Sequence, residues 1–203
     1  MNYNNIKISN KLAEKILLDF YHIKGTAFKL PGETDFNFKI SIDSKDCYIL
    51  KISRPNQSKK YTDFQEQILQ YLKDKPDIVS PQIILDKNRK ATSEFIDSSK
   101  NIRNVRLLTW ISGRLWSGIN PQSNILRFDL GQQCGKLTKT LRFFKHTEAY
   151  RNFEWDIAQS LWTSNFLHLF SAKEKKVISH FQSLFRKQFK SYQSLEKVLC
   201  IMI

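Results

Sequence analysis

Glycine and proline are scarce in this chain of 203 residues, at 6 and 5 copies, which excludes a collagen-like or low-complexity architecture. Cysteine is scarcer still. Cys47, Cys134 and Cys200 lie far apart and form no CxxC pair, so neither a disulfide scaffold nor an ordinary zinc ribbon is available, and such usage suits a reducing cytosol. No run approaches the ~20 consecutive apolar residues that a membrane-spanning helix requires. Residues 1–21 are polar and then amphipathic, without the apolar centre of a signal peptide. A soluble, cytoplasmic protein is expected. Ready-made catalytic signatures are missing as well: the sequence contains no GxSxG, HExxH, GxGxxG or phosphate-binding P-loop pattern.

What the chain has in excess is positive charge. Lys and Arg number 33 against 19 Asp and Glu, a formal net charge of +14. Such a balance invites a nucleic-acid partner, because cations that neutralise phosphates release counterions. Lysine dominates, however, with 24 Lys to 9 Arg spread along the chain. The densest groups, Lys173-Lys175-Lys176 and Arg186-Lys187-Lys190, fall on helical stretches beside Phe and Leu, as solvated helix faces do. Nucleic acid is therefore an unlikely partner. Hydrophobic residues make up 41% and aromatics 13%, with 15 Phe, enough for a sizeable folded core.

Hydrophobic periodicity divides the chain in two. Residues 11–21 place Leu12, Ile16, Leu17 and Phe20 at helical spacing. Short strands follow at Ala27 to Leu30, Phe36 to Ile42 (alternating apolar and polar) and Cys47 to Ile52, with turns at Pro31-Gly32 and Ser44 to Asp46, which makes an antiparallel meander. A helix is expected over Lys60 to Lys73, then a strand at Ile83 to Leu85 onto which Ala91 to Ile96 pairs back, and an apolar strand over Val105 to Ile111. Beyond Pro121 the pattern is helical, at Ile125 to Phe144, Trp155 to Phe170 and Lys173 to Leu195. An α+β chain results, with a sheet-bearing lobe over residues 1–112 and a helical lobe over 113–203. Cys134 falls in a helical pattern that reads as buried, and packing suits it better than nucleophilic chemistry.

The order of these pieces matters chemically. A turn between paired strands, Pro31 to Asp35, can offer backbone N–H groups to nucleotide phosphates, and Lys51 on the next strand supplies a fixed positive charge to them. A polar residue on the following helix can orient that lysine. The apolar strand ending in Ser112-Gly113 can present backbone groups to an adenine edge. Each piece alone is weak, since a strand lysine more often faces solvent.

In this arrangement the sequence resembles the aminoglycoside phosphotransferase family of small-molecule kinases, and within it the branch of hydroxylysine kinases and of phosphotransferase domains fused to aminotransferases. The resemblance is carried by Leu30 to Phe38, Tyr48 to Ile52, Asp63 to Glu66, Val105 to Gly113, Leu130-Gly131 through Leu137, and Phe153 to Asp156. It implies a protein-kinase-like fold, with an antiparallel-sheet nucleotide lobe and a partial helical lobe. It also implies ATP or GTP with Mg2+ as cofactors and a small hydroxyl-bearing, cationic substrate. Gly32, Glu33, Thr34 and Asp35 would form the phosphate-covering turn and Lys51 would pair with the phosphates. Its acidic partner position falls on Gln65, with Glu66 beside it, and Thr109, Trp110 and Ile111 would form the adenine hinge; Trp110 reads equally as core. Trp155 and Asp156 would brace the helical lobe.

The family's catalytic Asp sits in a His-x-Asp loop followed by a metal-binding Asn and Asp. None of His22, His146, His168 or His180 begins such a motif. The chain is therefore expected to be truncated ahead of that loop and inactive alone, with no catalytic or metal-ligating residue of its own. A non-catalytic nucleotide-binding or interaction module is the alternative. The tail Val198 to Ile203 reads either as a strand or as an out-of-frame passage, because AT-rich codons for His-Asn-Asp shifted by one base encode Ile-Met-Ile.

Overall fold

The computed structural model describes residues 7–32, 35–151 and 156–195. The chain forms two compact units, residues 1–144 and 145–203. The expected tail and most of the Phe153 to Asp156 motif, including Trp155, lie outside the described residues; Asp156 is described.

The first unit is built on an antiparallel sheet. Its strands are β1 (Thr26–Leu30), β2 (Phe36–Ile42), β3 (Lys45–Ile52), β4 (Ile83–Ile84), β5 (Ser93–Ile96) and β6 (Ile102–Thr109). The order is β1-β2-β3-β6-β4, and β5 also pairs with β6. The β2–β3 link is a two-residue turn at Asp43 and Ser44, both in the left-handed region at φ 48° and 65°. Two positive φ values in succession match the twist of the flanking strands. Lys39 Nζ and Ser41 Oγ then donate to the Asp46 carboxylate across the hairpin, at 3.1 and 2.6 Å.

Helix α1 (Asn10–Tyr21) starts where Ser9 Oγ accepts the Leu12 amide at 3.2 Å, and it ends at His22 with φ 55°. Its apolar stripe, Ala13, Ile16 and Leu17, buries against one face of the sheet, formed by Phe38, Ile40, Leu50, Ile52, Val105 and Leu107. Each side chain so buried contributes about 1.5–3 kcal/mol. Helix α2 (Lys59–Lys73) buries Thr62, Phe64, Ile68 and Leu72. Tyr71 Oη donates to the Thr140 carbonyl at 3.1 Å, and the Tyr71 and Phe144 rings meet edge to face at 5.3 Å. Those contacts attach the C-terminal end of α3 (Asn124–Leu141), where Leu141 is buried. Upstream, α3 is open: Ile125, Phe128 and Cys134 are exposed, so the buried position expected for Cys134 is corrected.

The second unit joins a 3-10 stretch, Ile157–Leu169, to α4 (Ala172–Gln193). An α-helix was expected over this stretch. Bonds to carbonyls three residues back tighten it instead: Thr163 Oγ1 donates to Ser160 O at 2.7 Å, and His168 Nδ1 lies 3.1 Å from Asn165 O. Ser171 and Glu174 close a reciprocal capping box at the start of α4. Gln182 then ties the two pieces, accepting from Ser164 Oγ and donating to Thr163 Oγ1, both at 3.0 Å. Lys173, Lys176, Arg186, Lys187 and Lys190 are exposed, as the solvated-face reading expects, while Lys175 is half-buried.

The pairing of β5 differs from expectation. It lies on β6, not on β4, because Asp86 turns the chain between them. Its carboxylate accepts the Asn88 and Lys90 amides, each at 2.8 Å, and Ser93 Oγ at 2.7 Å. Consequently β5 runs along Ile102 to Val105 and β4 along Leu107 and Leu108, end to end on one side of β6. Arg106 falls at their junction.

A second aspartate closes the β5–β6 turn. Asp97 Oδ1 accepts the Ser99 and Asn101 amides at 2.9 Å, and Oδ2 accepts Arg103 Nε at 2.7 Å. Arg103 is fully buried and also donates to the Ser53 carbonyl at 2.9 Å. Burial pushes the Asp97 carboxyl up, but the hydrogen bonds from Asn101, Arg103 and Ser99 outweigh it and hold the group below the usual carboxylate range. Asp97→Ala strands a buried guanidinium, so a loss of about 3–5 kcal/mol is expected in urea denaturation. Because the folded-state pKa is depressed, the contribution is present above the ordinary carboxylate range and fades as pH falls below about 4. Asp97→Ala should blunt that acid sensitivity.

Candidate functional site

The face of the sheet away from α1 is polar in its centre. Lys51 on β3 stands opposite Asn37 on β2 and Arg106 on β6, so three adjacent strands bring an amide and two cations into one row. Directly opposed side chains in such a ladder start about 4.5–5.5 Å apart. Two residues along β6 on the same face, Asn104 Nδ2 donates to Thr62 Oγ1 of α2 at 2.8 Å. One turn further along α2, Glu66 accepts a hydrogen bond from Thr92 Oγ1. These two bonds hold α2 over the β5–β6 side of the row. An open cleft of about 230 Å³ lies there, lined by Lys59, Thr62, Asp63, Glu66, Thr92, Glu94 and Asn104.

Gly32 is fixed by space. A Cβ there would come within 2.4 Å of the Asp35 carbonyl oxygen and 2.7 Å of Asn37 Nδ2, so only glycine lets the turn fold back against β2. That close approach delivers Asp35 to the row. Asp35 Oδ2 lies 3.8 Å from Lys51 Nζ, with the two side chains only 12% and 25% exposed.

The electrostatics are those of two crowded cations. Burial is the main cause that lowers the Lys51 pKa, Asp35 opposes it, and Arg106 adds to it. Burial likewise lowers the Arg106 pKa, against the attraction of Asp35 and Glu66. Arg106 is 3% exposed. Its charge is balanced at a distance, but among the described residues none accepts a hydrogen bond from its guanidinium. Two buried acceptors, Asn37 Oδ1 in the row and Gln65 Oε1 on α2, lack a partner and call for donors. The groups in the row that can meet an anion's oxygens are the two cations, Lys51 and Arg106.

Gly32, Asp35 and Lys51 therefore come together, while Glu33 and Thr34 lie outside the described residues. On α2, Gln65 is half-buried and Glu66 works toward Thr92 and Arg106, so the carboxylate beside Lys51 is Asp35. At the end of β6, the Thr109 amide donates to Gln82 O at 2.9 Å and the Trp110 amide to Cys47 O at 3.0 Å. Trp110 is half-buried and Ile111 exposed. Sequence reasoning missed Arg106, Asn37 and Thr92. The signal for Arg106 was available, as a charge within the apolar run Val105 to Ile111 at the spacing of the polar face. Among the described residues no three His, Cys, Asp or Glu converge as a metal-holding group. No helix there is long and apolar enough to cross a membrane.

No protein-family model matches the chain, and no curated protein matches it in sequence. Solved structures do. One is an amicoumacin kinase in complex with AMP-PNP, Ca2+ and Ami, with a TM-score of 0.65 at 18% identity over 94% of this chain and 55% of that one. Another is a microcompartment-associated aminopropanol kinase, with a TM-score of 0.70 at 14% identity over 91% of this chain and 58% of that one. The chain has the α+β, kinase-like fold of these small-molecule kinases and spans between half and two thirds of their length.

Removing Asp35 removes the one cause that raises the Lys51 pKa. In Asp35→Asn the lysine should titrate at lower pH than in the parent protein, as read from the Lys51 side-chain carbon shifts by NMR; an unchanged midpoint would disprove the pairing.

Proposed function

We propose that this chain is the nucleotide-binding part of a small-molecule hydroxyl kinase of the aminoglycoside phosphotransferase type, taking ATP or GTP. The observation that carries the reading is Lys51, a half-buried lysine on the central strand of a kinase-like sheet, faced by Asp35 from a turn that only glycine permits. Gly32 to Asp35 cover the phosphates, and the Lys51 ammonium meets their oxygens. The stretch Thr109 to Ile111 meets the base. Since the Thr109 and Trp110 amides are already spent on Gln82 and Cys47, that contact falls to carbonyl groups and to Ile111. The nucleotide supplies the transferable phosphoryl group.

Among the described residues no three His, Cys, Asp or Glu converge, so a Mg2+ would be held chiefly by the nucleotide's own phosphate oxygens and water. With no His-x-Asp motif in the chain, nothing here orients an acceptor hydroxyl. The 203-residue chain therefore binds nucleotide without transferring phosphate. The acceptor of the whole enzyme is a small hydroxyl compound, in keeping with the kinases whose fold it shares. The nucleotide lobe spans residues 1–112, inside the first compact unit of residues 1–144, and the site belongs to it. The protein works in the cytoplasm.

A fluorescent ATP analogue should bind the purified chain and lose affinity about tenfold to a hundredfold in Lys51→Ala, the equivalent of ~1.5–3 kcal/mol for a charge-assisted hydrogen bond. Lys51-independent binding would refute the site. Steeply salt-dependent DNA or RNA binding without nucleotide binding would favour a basic nucleic-acid binder. A Lys51-dependent phosphorylated product from this chain alone would refute its inactivity.

A further inference from the structure

Two arginines on β6 are buried, and they differ in what the fold gives them as partners. Arg103 gives Nε to Asp97 and a terminal nitrogen to Ser53 O, and stacks over the Phe36 ring at 5.5 Å. Arg106, three residues on, is 3% exposed and sits in the row beside Lys51, yet among the described residues its guanidinium has no hydrogen-bond acceptor. A guanidinium carries five N–H donors in a planar fork. No Arg106 nitrogen is among the fully buried unpartnered atoms, so its donors remain within reach of an incoming ligand. The backbone adds a reason for its setting: β5 covers β6 up to Val105 and β4 resumes at Leu107, so the chain departs from the sheet on both sides of Arg106. The carboxylates nearest in charge are committed elsewhere, Glu66 to Thr92 and Asp35 to Lys51.

We propose that Arg106 is a second phosphate-binding residue of this site, receiving oxygens of the same polyphosphate that Lys51 meets. The assignment rests on the nucleotide reading for the identity of the anion, and on the unspent guanidinium for the anion site itself. Planar bidentate donation matches phosphate geometry, whereas Lys51 acts as a point charge. Asp35 is then the internal competitor. Its carboxylate occupies the neighbourhood of Lys51 without ligand and repels an incoming polyphosphate. Glu66, held by Thr92, offsets part of the guanidinium's charge from a distance. Binding should therefore grow with the number of phosphates more steeply than one lysine would allow.

The test is isothermal titration of the purified chain with adenosine, AMP, ADP, ATP and inorganic tripolyphosphate, for the parent and for Arg106→Gln, Arg106→Lys and Asp35→Asn. Arg106→Gln should weaken ATP and tripolyphosphate about tenfold or more and leave adenosine unchanged, so the ATP-to-adenosine ratio collapses. Arg106→Lys, which keeps the charge and loses the fork, should fall between. Asp35→Asn should tighten ATP several-fold, and in the Arg106→Gln background that gain should shrink, which a purely structural arginine would not produce. An unaltered ATP-to-adenosine ratio in Arg106→Gln (or in Arg106→Lys, should the first variant fail to fold) overturns the assignment and leaves the nucleotide reading standing. Tripolyphosphate binding that depends on Arg106, with no added affinity for ATP and none for adenosine, overturns the nucleotide reading and upholds the anion site. Absence of binding by all five ligands overturns both.

Discussion

The register between β3 and β6 is the constraint on which the rest depends. Leu50 faces Leu107, Lys51 faces Arg106 and Ile52 faces Val105. A slip of one residue in either strand would exchange faces, driving a lysine or an arginine into the α1 core and turning leucines toward α2. The apolar face therefore enforces the polar one. Fully buried Phe38, Ile40, Leu50, Ile52, Val105 and Leu107 make any other register costly by many kcal/mol, and the row Asn37, Lys51, Arg106 is placed as a by-product of that packing. The site takes its placement from the hydrophobic core behind it.

Arg103 and Arg106 show how one strand can use the same residue type in opposite ways. Arg103 is engaged by a carboxylate, a carbonyl and an aromatic ring, and it knits the β5–β6 turn to the end of β3. One terminal nitrogen is left without a partner even so. Arg106 is compensated in charge but not in hydrogen bonds. The first arrangement lowers the energy of the folded chain; the second keeps donors in reserve. Both are excluded from water by the same sheet, and the difference lies in what the neighbouring turns bring: Asp97 ends at Arg103, whereas Asp35 stops at Lys51.

Much of the sheet was legible because one face is buried and the other is not. The alternation of Phe36, Phe38, Ile40 and Ile42 with Asn37, Lys39 and Ser41 can only be a half-buried strand, and α1 followed from its apolar spacing. Local pattern could not tell which strand β5 would join, since that depends on the turn Asp86 builds with backbone amides and Ser93. Nor could it tell that residues 157–169 wind as 3-10, where side-chain bonds to nearby carbonyls decide. At the site, Lys51 and Gly32 were readable from the order of strand, turn and strand. The pairing of Asp35 with Lys51, and the turn of Glu66 toward Arg106, were not, because both depend on which face α2 covers. Arg106 stood out as a charge in an apolar run, but its place beside Lys51 depends on the β3–β6 register, which local pattern does not reveal.

The outer strands of the sheet are short, and two of the three, β1 and β4, are closed off by proline. On one side β1 has five residues and runs directly into Pro31; on the other β4 has two, begun two residues after Pro81. Proline cannot extend a ladder, and such brief runs of unpaired amides give another chain little to zip onto. Association of this lobe through added strands is thereby discouraged. What remains sticky is side chain and not backbone, in exposed rings such as Phe128 and Phe143, so the chain's tendency to clump will follow its helices, and substitutions on the sheet rim will do little to change it.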